Sequence, residues 1–520
     1  MLKTRLDEKL LALSVLLFSL ISLLPFIPQF HGGSQDEGLL LYNSQRILSG
    51  EVPYRDFFSH YPPLTLWLVA GWFKLWGANI FSARVFMVLT GVLMAWLVYL
   101  IGRELLPRRA AWSAALLFIC SGVNCWPVVS HHWNGVLFLL LTFWVFLLYQ
   151  KQKSFYLLYL TGFLTSLTFF LMQTEGFALA IALLIYLTFS DFKNLLKYLH
   201  GLLIPALVIL GILAVNQALP QYLYQNFLWA REYAIPFNRS PYTLAPLIRD
   251  WLTVAGQLLQ VKVFNWAVLL WVVNAFTYWL VEAVKYGLFY PVLLLSVFLA
   301  LKGKELSAAY RPLVLLLAVW CGFSFYRQDL LYLNYHTPVF CLLLVFLLLR
   351  LKSPSGRIIL GGLALTFLIS NSFLLQSCRD FKYPLNYPLA RLYTNEKIYA
   401  EKITPLLIFL EKNTVKGETI FTFPNASAFY FLTGRRNPTS YNILYPLMSP
   451  RAMVLNAKTE IEADKTRYLF KFKITPSALD AYPKVNPQAY FREDEYIRQI
   501  LTYGYREIKD YDFCQVYQRI

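Results

Sequence analysis

Long apolar runs separated by short charged connections fill most of this chain. Runs of about 17 to 22 residues have the length a helix needs to cross a hydrocarbon core of roughly 30 Å. An isolated spanning segment must satisfy its own backbone hydrogen bonds, so each run reads as a helix. The spans fall at residues 10–28, 81–101, 110–125, 134–149, 155–172, 176–190, 198–216, 284–301, 312–326, 336–350 and 358–376. Two further apolar stretches, 64–76 and 263–280, read as interfacial or re-entrant helices, because counting either alone as a span reverses the later loops against their charge. The expected fold is therefore an α-helical polytopic membrane protein with about 11 to 13 transmembrane helices.

The connections at 103–110, 150–154, 191–197, 301–305 and 350–357 carry Lys and Arg. With the amino end in the cytoplasm, alternation of the spans puts all of them on the cytoplasmic side, as the positive-inside rule requires. The far side then receives the first loop, 29–80, the connections 126–133, 217–262 and 327–335, and everything after 377. The first run follows the basic-leaning MLKTRLDEK without a clear small-residue cleavage site and reads as a retained span of the plasma (inner) membrane. Beyond residue 377 charged residues become common and apolar runs short. The helical period of KIYAEKITPLLIFLEKN and the strand-like TIFTF predict a small extracytoplasmic α/β domain over 378–520, following a membrane domain over 1–377.

Composition agrees with the pattern. The chain is 58% hydrophobic and 15% charged, more apolar than a water-soluble core absorbs. Its net charge of +18 comes from basic residues beside the apolar runs, not from an interleaved basic and aromatic stripe, which argues against nucleic acid as a partner. The six cysteines show no CxxC spacing and read as packing residues.

Polar side chains near a bilayer are costly and mark sites. His31, His60, His131, His132 and His336 fall at the far-side ends of spans, together with Asp36 and Glu37. Such a cluster suits acid/base chemistry or a divalent metal; contact with a polar headgroup layer is the plainer reading of any one histidine. Glu175 lies at a helix end, where capping competes with a groove-facing role. Arg327 and His336 flank a polar stretch before an outward helix start, and the basic, aromatic loop 221–242 suits headgroups or a cover over a site.

The first loop holds Asp36-Glu37-Gly38, then Gly50-Glu51-Val52-Pro53-Tyr54-Arg55-Asp56, then His60-Tyr61-Pro62-Pro63-Leu64, with Arg84 opening the next span. This order resembles the first extracytoplasmic loop of the GT-C glycosyltransferase superfamily, in the branch of protein O-mannosyltransferases and aminoarabinose transferases. LTGRRNPTSY, 432–441, resembles a segment in the carboxyl-terminal portion of bacterial relatives. The resemblance implies a sugar donor on a polyprenyl phosphate or diphosphate, and an acceptor that is a protein, a lipid or an envelope glycan. It implies Asp36, with Glu37, as the catalytic or acceptor-binding carboxylate. Chemistry at a lipid phosphate adds Arg55, Arg84, Arg327 and His60 as phosphate ligands, since guanidinium offers forked donors to phosphate oxygens. Tyr54, Asp56, Tyr61, His131, His132, Glu175 and His336 complete the expected groove. Two positions depart from relatives: Tyr61 stands where Lys often precedes the double proline, and His131, His132 and Asn134 stand where an acidic residue is common. A transporter or flippase of lipid-linked sugars is the competing class; it would place charged or broken helices near the midplane, often in two repeated halves.

Overall fold

The computed structural model describes residues 2–30, 35–229, 231, 289, 291–302, 310–324, 330–350, 358, 361–362, 381–424, 426–444, 449–473, 493–501 and 504–520. The expected elements at 263–280 and most of 358–376 lie outside these residues, as do His31 and Arg327.

Helices α1 (Leu2–Leu23), α4 (Ile80–Leu105), α6 (His131–Gln152), α7 (Phe155–Leu171), α8 (Gln173–Ser190) and α9 (Leu195–Val215) form the body of the membrane domain. Five described helical stretches are long and apolar enough to cross a membrane, among them Lys9–Phe26, Ile80–Leu105 and His131–Gln152; apolar helices of 10–17 residues at Pro291–Lys302, Tyr310–Phe323 and Asn334–Arg350 accompany them. The chain is a multi-pass membrane protein. Its outer face fits that reading, since Leu10, Leu13, Leu17 and Ile21 on α1 and Leu203, Ile204, Leu207 and Val208 on α9 are exposed. Inside, helices approach closely: a Cβ on Gly162 of α7 would lie 2.1 Å from the Tyr198 carbonyl of α9.

α3 (Pro63–Trp76) and α5 (Arg108–Ser121) have 14 residues each, which gives about 21 Å at roughly 1.5 Å per residue. Residues 64–76 thus form a helix short of a full span, as their length predicts, while the segment expected as a span over 110–125 holds the short, half-buried α5 and runs along α4 from Ala111 beside Gly102 to Pro127 at Arg84. Lys151 pairs with Glu104 at 2.5 Å, and Tyr149 hydrogen-bonds Asp191. The charged connections at 103–110, 150–154 and 191–197 accordingly share one end of the bundle.

The carboxyl-terminal segment contributes a hairpin, β1 (Tyr383–Tyr387) with β2 (Ala390–Thr394), and a mixed sheet of order β3-β4-β6-β5. In that sheet β3 (Phe421–Phe423) runs parallel to β4 (Tyr468–Phe472), while β6 (Cys514–Arg519) is antiparallel to both β4 and β5 (Tyr505–Asp510). A small cluster of Phe421, Phe423, Val454, Ala457, Ile461 and Leu469 fills the space between the sheet and helix Arg451–Asp464. The rest of the segment shares a continuous apolar core with the membrane helices, from Val15 and Leu23 through Leu39 and Leu40 to Tyr430 and Phe470. The small α/β unit is therefore bonded to the membrane domain, not hung from it.

Candidate active site in the first loop

The loop between α1 and α4 folds into two helices and a turn. α2 (Gln35–Leu48) begins with the acidic pair. The turn that follows places Tyr54 at a φ of +71°. The double proline then starts α3: Pro62 is extended at its N-cap and Pro63 occupies the first helical position, where its missing N–H costs nothing. Tyr54 Oη donates to the Tyr61 carbonyl at 2.7 Å, and Gln225 clasps the turn by donating to the Tyr54 carbonyl at 3.0 Å and accepting from Ser59 N at 2.8 Å. Asn226 donates to the Ser59 carbonyl at 3.3 Å and accepts from Gln173 at 3.0 Å, tying the turn to α8.

The two acidic neighbours have different surroundings. Asp36 is exposed in the first turn of α2, and Tyr61 Oη donates to its backbone carbonyl at 3.0 Å. Glu37 is buried. One of its oxygens accepts from Arg84 at 2.8 Å and the other from Val129 N at 2.8 Å. Arg84 is 2% exposed and also donates to the carbonyls of Pro127, at 2.7 Å, and Gln29, at 3.3 Å. The pair, expected in catalysis and phosphate binding, thus joins α2, α4 and the strand-like entry to α6.

Beside Asp36 lies a chain of rings. Tyr61 is 4.6 Å from His131, His131 is 4.3 Å from His132, and His132 stacks on Tyr335 at 4.3 Å. His132 Nδ1 lies 3.0 Å from a buried Glu175 oxygen, whose other oxygen accepts from Thr174. Ser130 caps α6 by accepting from His132 N at 3.2 Å, which fixes where the two histidines begin the helix. His60 stands on the other side of Tyr61, 4.5 Å away, against Trp229 at 5.8 Å. His336 packs on Trp320 at 4.2 Å and Phe289 at 5.9 Å, while its neighbour Tyr335 faces the histidines.

Arg55 is exposed and paired with Asp56 at 2.8 Å, with a longer contact to the Asn216 carbonyl at 3.4 Å. The Arg55 hydrogen bonds hold the Asp56 carboxyl below its usual range, against the smaller opposing effect of burial, and the Val52 N–H helps from 2.7 Å. Among the described residues no group of three or more His, Cys, Asp or Glu side chains could hold a metal ion.

The segment Leu432–Tyr441 docks on α2. Tyr42 Oη accepts from Asn437 N at 2.7 Å, Asn43 Oδ1 accepts from Asn442 at 2.5 Å, and Arg46 donates to the Thr439 carbonyl at 2.9 Å and to Asn442 Oδ1 at 3.0 Å. A Cβ on Gly38 would lie 2.5 Å from Ala428 Cβ and 2.6 Å from its backbone nitrogen, so glycine is what lets helix Ser427–Thr433 rest on α2. Gln225, Asn226 and Gln173 were not singled out as loop-holding residues from their sequence context; a pair of amides inside an otherwise aromatic stretch is the signal that marks the first two.

Comparison with known proteins finds relatives of the fold and of one segment. Residues 60–215 match the family described as dolichyl-phosphate-mannose-protein mannosyltransferase. No curated protein sequence matches the chain. The fold resembles that of ArnT from Cupriavidus metallidurans solved with undecaprenyl phosphate, with a TM-score of 0.56 at 12% identity over 100% of this chain and 98% of that one. The apo form of the same protein gives 0.55 at 12% identity, with the same coverage. The Archaeoglobus fulgidus oligosaccharyltransferase in complex with Zn and sulfate gives 0.54 at 15% identity, over 97% of this chain and 73% of that one.

Proposed function

We propose that this chain, which has the GT-C membrane fold and a segment matching the mannosyltransferase family, is a glycosyltransferase that takes a sugar from a polyprenyl-phosphate-linked donor. The observation that carries the reading is the position of Asp36: an exposed carboxylate on a helix fixed by Tyr61 and by the buried Glu37–Arg84 pair, beside the His131–His132–Glu175 cluster. The Cupriavidus relative was solved with undecaprenyl phosphate, which supports a lipid phosphate as the donor's carrier.

In the proposed reaction an acceptor oxygen attacks the anomeric carbon as the bond from that carbon to the phosphate oxygen breaks. Polyprenyl phosphate leaves with the bonding electrons, and Asp36 orients the acceptor hydroxyl or takes its proton. Arg55, exposed at the loop surface, and Arg231, exposed beyond the π-helical turn Tyr224–Leu228, are the described cations suited to the departing phosphate. Arg327 remains a proposed phosphate ligand from its sequence position. Glu37 and Arg84 we assign to positioning, since both Glu37 oxygens and both terminal nitrogens of Arg84 bond each other or backbone groups. His60, Tyr61, His131 and His132 line the approach, with Glu175 holding His132; Tyr54 and Asp56 shape the turn.

The active site and the carboxyl-terminal unit face away from the cytoplasm in this proposal, because the Lys and Arg connections gather at the opposite end of the bundle. The test is transfer by purified protein in lipid, offered a panel of polyprenyl-phosphate sugars, hexose and pentose, with a membrane extract as acceptor. Label appearing in protein, lipid or glycan supports the reading and identifies the acceptor class. Movement of lipid-linked sugar across a vesicle membrane without transfer would replace it with the transporter.

A further inference from the structure

The seam between α2 and the carboxyl-terminal unit holds a cleft of ≈ 410 Å³, lined by several cations, for which the transfer chemistry has no use. That is within the span of small-molecule sites, roughly 300–1,000 Å³. Its lining includes Arg46, Lys416, Arg435 and Arg436, against the single carboxylate of Glu51. The two deeper guanidinium groups are held in place. Arg46 forks onto Glu51 and reaches Thr439 and Asn442, while Arg435 donates to Thr414 and Thr433 at 2.6–3.1 Å. Burial lowers the Arg435 pKa, an effect that Glu411 and Glu418 oppose. Glu418 accepts from Val415 N at 2.9 Å.

The rim differs from the floor. Lys416 and Arg436 are exposed, Gln45 is half-buried, and no hydrogen bond or ion pair engages any of these three side chains among the described residues. A floor of fixed cations under a rim of uncommitted donors is the arrangement that binds an oxyanion, because guanidinium and ammonium groups place several charge-assisted hydrogen bonds on one phosphate.

We infer that this cleft is an anion-binding subsite for a phosphoryl group, carried either on the acceptor molecule or on a phospholipid headgroup. Arg46 lies ten residues along α2 from Asp36, which sets the two about 15 Å apart at roughly 1.5 Å per residue. That sets the cleft apart from Asp36; anion binding there is independent of the transfer reading, whereas its assignment to a phosphate on the acceptor rests on that reading.

The test is titration of the full-length protein, in nanodiscs of phosphatidylcholine alone, with inorganic pyrophosphate, followed by calorimetry. Saturable binding is expected, weakened about tenfold or more in Lys416→Gln/Arg436→Gln and unchanged in Asp36→Asn. Both rim residues are exposed, and an unchanged thermal midpoint checks the fold; the two single glutamine variants serve if the double variant unfolds. Repeating the titration with phosphatidylglycerol in the disc separates the sources: competition assigns the site to a headgroup, and undiminished binding assigns it to a phosphate on the acceptor. Absence of saturable binding, or equal binding by wild type and the rim variants, overturns the subsite.

Discussion

Replacing Glu37 by Gln tests whether this carboxylate positions the loop or performs chemistry. The wild-type side chain accepts two hydrogen bonds on separate oxygens, from Arg84 and from Val129 N, both at 2.8 Å, with side-chain exposures of 6% for Glu37 and 2% for Arg84. A glutamine has one acceptor oxygen. Its NH₂ group must then face one of the two donors, and the buried Arg84 loses its counter-charge. Removing one member of a buried pair costs about 3–5 kcal/mol. Arg84→Met should cost a similar amount, because it leaves Glu37 charged and the carbonyls of Pro127 and Gln29 without their donor. The double variant Glu37→Gln/Arg84→Met removes both charges and should fall short of the sum by roughly 1–3 kcal/mol. The assay is thermal unfolding in detergent, followed by tryptophan fluorescence at one scan rate, with sugar transfer measured on the same preparations. A Glu37→Gln protein within about 0.5 kcal/mol of wild type, or strict additivity, would refute the pairing. Loss of transfer with an unmoved unfolding midpoint would return Glu37 to catalysis.

Further predictions concern the loop and its supports. Gly38→Val should destabilise the seam by about 1–3 kcal/mol through overpacking; Ala428→Gly should not rescue it, since the Ala428 backbone nitrogen also lies 2.6 Å from the added Cβ, and thermal midpoints decide. Glu175→Leu removes the carboxylate that meets His132 Nδ1 and should cost about 1–3 kcal/mol, while Glu175→Gln, which keeps a hydrogen-bonding group there, should cost less in the same measurement. The Asp56 carboxyl titrates below its unfolded value of about 3.9, so its contribution is present above that pH and is lost as pH falls through the folded value. For a partly exposed pair the gap between wild type and Asp56→Asn should stay under about 1 kcal/mol at pH 7. It should close as pH falls through the folded value; a gap that widens on acidification contradicts the pairing.

Much of the fold was legible because lipid imposes a single rule, that a spanning run must be long, apolar and self-bonded. The stretch 64–76 is short for a span, and it forms α3. Residues 110–125 contain only a short helix, α5, yet the chain through it runs from Ala111 beside Gly102, near one end of α4, to Pro127 at Arg84, near the other, as the expected crossing requires. The motifs of the first loop drew attention to the right region, but not to the division of labour within it. Asp36 and Glu37 are adjacent in sequence, and helical geometry turns them to different surroundings, one exposed and one buried against Arg84. The LTGRRNPTSY segment was visible as a motif; its function of gripping α2 depends on contacts nearly 400 residues apart in the chain, such as Asn437 with Tyr42, which no local pattern encodes.

Asp36 carries the central claim, and the most direct measurement is the rate of sugar transfer from a polyprenyl-phosphate donor by wild type, Asp36→Asn and Asp36→Glu in the same lipid. Because Asp36 is exposed and only its backbone carbonyl bonds Tyr61, all three proteins should unfold at the same temperature. The expected result is a loss of about 10²-fold or more in Asp36→Asn, with part of the rate returning in Asp36→Glu. Equal transfer by wild type and Asp36→Asn would contradict the claim and move the search for the reacting group to the histidines beyond Tyr61.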